Sequence, residues 1–189
     1  MTHLDNNGSE TVRLTDDPEK DRNPSWSPDG RRALTAARDV SAGAWIFDVS
    51  AVATRENATF FRSPMTSVFR ADAWSPDGAF VAGSVLDETS APRQPAVWEM
   101  STGRVREFKV PPPLSRFAGA VAGWLPGSRR FLFASGKGLV AIDAQTGTVS
   151  PFAAPEDTIR YRLSRDGRTL LAERDTLDAD IWLIDFGTK

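Results

Sequence analysis

Three carboxylates crowd into six residues, Asp175-Thr176-Leu177-Asp178-Ala179-Asp180. Oxygen donors in a loop are what a hard cation such as calcium requires. The spacing does not follow the helix-loop-helix calcium pattern, and no bidentate glutamate comes at the needed place, so the stretch reads as a solvated loop. The only histidine is His3. A Ser-His-Asp hydrolase would have to use it, although a catalytic histidine must be held in place by its surroundings. No G-x-S-x-G nucleophile elbow occurs. With no cysteine, disulfides and thiolate zinc sites are excluded. The segment ASGKG at residues 134–138 holds a Gly-Lys pair but lacks the first glycine of a phosphate loop, and reads as a tight strand-to-strand turn. Asp5, Asp16 and Asp17 read as turn and loop residues, and no carboxylate pair stands out for sugar hydrolysis. The residues therefore assign no catalytic group, no cofactor and no metal.

Composition narrows the remaining classes. The 189 residues carry a net charge of -2, with 40% hydrophobic and 25% charged residues, as in ordinary globular domains. No global basic field points to nucleic acid. No apolar run is long enough for a transmembrane helix, so no membrane insertion is expected. The first residues, MTHLDNNGSE, do not have the basic-then-apolar form of a secretory signal.

Any chemistry has to be positioned by a repeated unit. PSWSPDG at residues 24–30 returns as DAWSPDG at residues 72–78, and two weaker copies follow around Trp124 and Leu163. The copies recur roughly 40 to 50 residues apart, the span of a four-stranded blade with variable loops. Ser27-Pro28-Asp29-Gly30 and Ser75-Pro76-Asp77-Gly78 read as type I turns: proline presets the second position, glycine suits the fourth, and aspartate can bond to local backbone. Ser164-Arg165-Asp166-Gly167 keeps the pattern without proline, and Leu125-Pro126-Gly127-Ser128 is a degenerate turn. Trp26, Trp74 and Trp124 supply large apolar area where one sheet should pack on the next. After each turn come a short strand (RRALTAAR, AFVAGSVL, RRFLFAS, RTLLAER) and a more apolar one (AWIFDV, AVWEM, LVAID, IWLID). Trp45, Trp98 and Trp182 recur in that third strand, a packing position rather than a ligand cage. Arg31-Arg32 and Arg129-Arg130 read as solvated strand starts. A Gly-containing turn and an outer strand close the unit, and ATFFR takes that place in the first repeat. The pattern predicts an all-β chain.

The W-S-P-D-G turn followed by an I-W-L-I-D type strand resembles the WD-like repeat of TolB-type β-propellers. The N-terminal propellers of prolyl oligopeptidase-like peptidases are similar. The resemblance covers nearly the whole chain. It implies a single β-propeller domain over residues 1–189, with about four blades of four antiparallel strands and repeats at 24–62, 71–109, 118–152 and 158–185. Residues 11–15, TVRLT, read as an outer strand that completes either the last blade or a preceding one. In the first case the ring closes. In the second, residues 4–8 are the end of a third strand and its turn, and the chain is the C-terminal part of a larger propeller. A cut arc would leave blade faces ready for self-association.

Propellers host unrelated activities, so the fold is nearly silent on function. The reading favoured here is a non-catalytic protein or peptide interaction module, a scaffold or sensor. The alternative is the accessory propeller of a peptidase, or a small propeller hydrolase or lyase. Binding residues tend to lie on loops held by a rigid frame. The rim formed after the second strands supplies the candidates Arg38, Asp39, Asp87, Glu88, Arg93, Lys137, Arg174, Asp175, Asp178 and Asp180. The resemblance implies the bacterial envelope or periplasm if a parent protein supplies a signal, and the cytoplasm otherwise.

Overall fold

The computed structural model describes residues 3–4, 10–11, 22–36, 43–49, 58–62, 68–86, 92–111, 119–127, 129–135, 138–154, 160–164, 166–173 and 181–185. Every regular element among them is a β-strand. A short hairpin pairs β1 (His3–Leu4) with β2 (Glu10–Thr11). Blade 1 is the meander β3 (Arg22–Trp26), β4 (Arg32–Ala36), β5 (Gly43–Asp48) and β6 (Ala58–Arg62). Blade 2 is β7 (Val68–Trp74), β8 (Phe80–Leu86), β9 (Pro92–Glu99) and β10 (Val105–Glu107). Blade 3 is β11 (Val121–Trp124), β12 (Arg130–Ser135), β13 (Gly138–Asp143) and β14 (Val149–Phe152). Blade 4 has three strands among the described residues, β15 (Arg160–Leu163), β16 (Thr169–Glu173) and β17 (Ile181–Asp185). Among the described residues Thr11 pairs with His3 and not with β17, and residues 12–15 lie outside them.

The repeated turn is held by one hydrogen-bond pattern used three times. In blade 1 the Gly30 N–H donates to the Ser27 carbonyl at 2.9 Å, and Gly30 takes a positive φ of 69°. The Ser27 hydroxyl donates to Asp29 at 2.6 Å and accepts the Arg32 N–H at 2.8 Å, while Asp29 also accepts the Arg31 N–H at 3.0 Å. Ser75 and Asp77 repeat this with Phe80 and Ala79, and Ser164 and Asp166 with Thr169 and Arg168. Ser27 and Ser75 are buried, so these hydroxyls satisfy backbone groups that would otherwise lose their water partners. In blade 3 Leu125 replaces the serine and has no hydroxyl to offer, while the backbone link from its N–H to the Arg130 carbonyl, 2.8 Å, persists. The ASGKG segment is a hairpin: β12 ends at Ser135, which pairs with Gly138 at the start of β13.

The blades stack through the residue that precedes each turn. Trp74 is buried among Leu34, Ala44 and Ile46 of blade 1, with the Arg32 guanidinium 5.3 Å from its ring centroid. Arg32 is therefore exposed but also caps the first interface as a cation–π partner. Trp124 is buried against Ala82 and Val97 of blade 2, with the Phe80 ring 6.3 Å away and its Nε1 donating to the Ala73 carbonyl at 3.1 Å. Arg32 and Phe80 hold the same place in their repeats, five residues past the turn serine. Between blades 3 and 4, Leu132 and Ala122 pack with Tyr161 and Leu170. Trp98 is buried as expected, Trp45 is half-buried, and the Trp182 side chain lies outside the described set. Trp26 departs from the expected pattern. It is 60% exposed, whereas Trp74 and Trp124 are each 6% exposed, because blade 1 has no described blade before it to cover that face.

Candidate functional site

The innermost strands β3, β7, β11 and β15 run beside one another and line a common concavity of about 1060 Å³ together with the Ser27-Pro28 and Ser75-Pro76 turns. Its polar side chains come chiefly from β7 and β15. The β7 sequence VFRADAW carries Arg70 and Asp72 two positions apart, which in a regular strand puts both on one face. The pairing of β7 with β8 shifts between Ala71 and Ala73, so Asp72 is the extra residue of a bulge. Bulges re-aim side chains next to functional surfaces. Gly83, opposite Ala71, permits this one: a Cβ there would sit 2.0 Å from the Arg70 carbonyl oxygen. The strands β3 and β11 shift register at the corresponding place, and β15 pairs with no shift.

Arg70 Nε donates to Asp72 Oδ1 at 3.2 Å, and its guanidinium also donates to the Gly119 carbonyl at 3.0 Å. Asp72 Oδ2 in turn accepts the Val121 N–H at 3.3 Å. The pair ties blade 2 to the start of blade 3 and fixes both groups at the groove wall. Arg162, exposed on β15, donates to the Tyr161 carbonyl at 3.2 Å. With Ser25, Ser164 and the exposed ring of Trp26, the lining mixes cationic, hydroxyl and aromatic surface. The Trp74 N–H donates to Ser25 Oγ at 3.4 Å, while the buried Trp74 Nε1 has no hydrogen-bond partner among the described residues. This surface can take an extended polar segment, with guanidiniums for carbonyl or carboxylate oxygens and an indole face for apolar side chains.

The carboxylates with displaced acidity lie in turns. The Ser27 hydroxyl and the Arg31 N–H hold Asp29 below its ordinary pKa; the Ser164 hydroxyl and the Arg168 N–H do the same for Asp166. The Thr146 N–H leads the lowering at Asp143. Each stabilises a charged acceptor, the reverse of the raised pKa that a general acid requires. Among the described residues no cluster of three or more His, Asp or Glu side chains could hold a metal ion.

Of the loop residues proposed from sequence, Arg38, Asp39, Asp87, Glu88, Lys137, Arg174, Asp175, Asp178 and Asp180 lie outside the described residues. Arg93 falls within β9, where the pairing with β8 shifts between Val85 and Leu86. The groove residues Arg70, Asp72 and Arg162 were not singled out from sequence. A signal was present: the strand before the second W-S-P-D-G unit carries R-A-D, whereas the other repeats have Pro24, Ala122 and Tyr161 at the aspartate position.

No family model matches the sequence, and no curated protein matches it. Solved structures do. TolB from Acinetobacter baumannii superposes with a TM-score of 0.69 at 17% identity, over 98% of this chain and 46% of that one. The fold is that of a TolB-like β-propeller. A putative TolB from Agrobacterium tumefaciens gives 0.68 at 17% identity, over 91% of this chain and 60% of that one. The Kuenenia stuttgartiensis hydrazine synthase gives 0.60 at 21% identity, over 93% and 48%. The TolB-like chain thus spans about half the length of the proteins it superposes on. At these identities the likeness concerns architecture alone, and in that architecture the groove occupies the propeller axis.

Proposed function

We propose that this chain is a non-catalytic interaction module that receives an extended protein or peptide segment in its axial groove. The observation that carries the proposal is the groove itself. At about 1060 Å³ it lies at the upper end of the size of ligand sites, and it is lined by the innermost strands of all four blades with Arg70, Asp72, Arg162 and Trp26 among them. A site of fixed guanidiniums and aromatic surface suits backbone and side-chain recognition. In this proposal Arg162 and Trp26 make the first contacts, while the paired Arg70 and Asp72 keep the wall in shape. The loop residues Arg38, Asp39, Asp87, Glu88, Lys137, Arg174, Asp175, Asp178 and Asp180, with Arg93 near the start of β9, are proposed to extend the contact at the rim.

The test is selection from a random peptide display library on immobilised chain, repeated with the Trp26→Ala/Arg162→Ala variant. Peptides retained by the wild type and lost by the variant support the reading. Peptides retained equally by both place recognition elsewhere. Turnover of a chromogenic peptide or glycoside panel by the purified chain would instead favour the catalytic alternative.

A further inference from the structure

Three charged side chains line the axial groove among the described residues: Arg70, Asp72 and Arg162. Arg70 and Asp72 stand on blade 2, which packs against a described blade on each side, so the wall they form is bounded by protein both ways. The Asp72 side chain is 6% exposed, and both of its oxygens are in use. Oδ1 accepts Arg70 Nε at 3.2 Å, and Oδ2 accepts the Val121 N–H at 3.3 Å. The Arg70 side chain is 23% exposed. Its Nη2 donates to the Gly119 carbonyl at 3.0 Å, while its Nη1 makes no hydrogen bond among the described residues. The pair therefore offers the groove a spare N–H donor whose charge is cancelled by the carboxylate 3.2 Å away.

We infer that Arg70 sets the specificity of the groove: it takes an uncharged carbonyl oxygen of the bound segment, from the main chain or an Asn or Gln amide, and disfavours a carboxylate. This rests on the peptide-binding reading above and adds the class of group received at this wall. An arginine is a strong acceptor of acidic groups when its charge is unspent. Here a ligand carboxylate on Nη1 would stand beside Asp72 in a partly desolvated wall, where like charges repel more strongly than in water. A neutral carbonyl takes the same donor without that repulsion. The guanidinium already holds one such oxygen, that of Gly119, through its other terminal nitrogen. Arg162 differs: it is exposed and donates to the Tyr161 carbonyl, with no carboxylate partner among the described residues. An acidic side chain of the segment fits Arg162, and an uncharged stretch fits Arg70.

The experiment starts from display-library peptides that the wild-type chain retains and the Trp26→Ala/Arg162→Ala variant loses. Each is resynthesised with glutamate at one position at a time, and its affinity is measured on wild type, Asp72→Asn and Arg70→Gln, with far-ultraviolet spectra to show that the variants keep their strands. Arg162 is common to all three, so differences between them report the Arg70 wall. At the position facing Arg70, glutamate should weaken wild-type binding about tenfold. Asp72→Asn keeps an oxygen for the Val121 N–H but removes the negative charge, so the penalty should vanish or reverse. Arg70→Gln leaves Asp72 uncompensated, so the penalty should grow, and this second variant decides the matter if Asp72→Asn does not fold. Glutamate effects that are the same on all three proteins, or a glutamate that tightens wild-type binding and loses that gain in Arg70→Gln, overturn the inference while leaving the groove as the peptide site. A library that yields no peptide dependent on Trp26 and Arg162 overturns the peptide-binding reading and this inference with it.

Discussion

Arg70 and Asp72 pair at 3.2 Å across a bulge in β7, and each reaches past its own blade to the next, Arg70 to the Gly119 carbonyl and Asp72 to the Val121 N–H. One ion pair therefore joins two blades and shapes the groove wall. Asp72 is almost wholly buried, while Arg70 keeps about a quarter of its side chain in solvent. Replacing Asp72 by alanine strands a backbone donor and an arginine with fewer partners. The expected loss is about 2 kcal/mol, measured as a lower urea midpoint with an unchanged slope.

Gly83 makes that bulge possible. A methyl group there would meet the Arg70 carbonyl oxygen at 2.0 Å and the Phe69 ring at 2.9 Å. Gly83→Ala is expected to cost about 3 kcal/mol through backbone displacement in the core of blade 2. Thermal unfolding reads the loss directly, and the Arg70–Asp72 contact should weaken with it.

The turn serines should not be equivalent. Ser75 is fully buried, and its hydroxyl both donates to Asp77 and accepts the Phe80 N–H. Ser75→Ala leaves that N–H unpaired and is expected to cost about 1 to 2 kcal/mol. Ser164→Ala, at a half-buried site, should cost less. Urea titration of the two variants side by side checks the order.

Acid should loosen the turns. Asp29, Asp166 and Asp143 all have folded-state pKa values below the ordinary one, led by hydrogen bonds from Ser27, Ser164 and the Thr146 N–H respectively. Their contribution to stability is complete above the unfolded-state pKa of about 4 and is lost as pH falls through the lower folded values. The melting temperature should therefore drop below about pH 4, and the drop should be smaller in Asp166→Asn, which has no proton to gain there.

The repeat and its turns were legible because their chemistry is local. Serine, proline, aspartate and glycine act within five residues, so Ser27 to Arg32 could be read without knowing what lies across the sheet. The packing of Trp74 and Trp124 was legible for a related reason, since a large aromatic at one recurring place has few other uses. Trp26 carries the same letters and is nevertheless exposed, because burial depends on a neighbouring blade and not on the motif. The Arg70–Asp72 pair was missed for the same reason: the bulge that aims Asp72 depends on Gly83 in another strand, and its partner Val121 is far along the chain. The charged loop at residues 174–180, far more conspicuous as a sequence, lies outside the described residues.

The most direct test of the axial groove as the binding surface is hydrogen exchange on the chain with and without a peptide selected from the display library. Protection should appear on the innermost strands, at residues 70–76, 120–124 and 160–164. Protection confined to the outer strands β10 and β14, with the innermost strands unchanged, would contradict it.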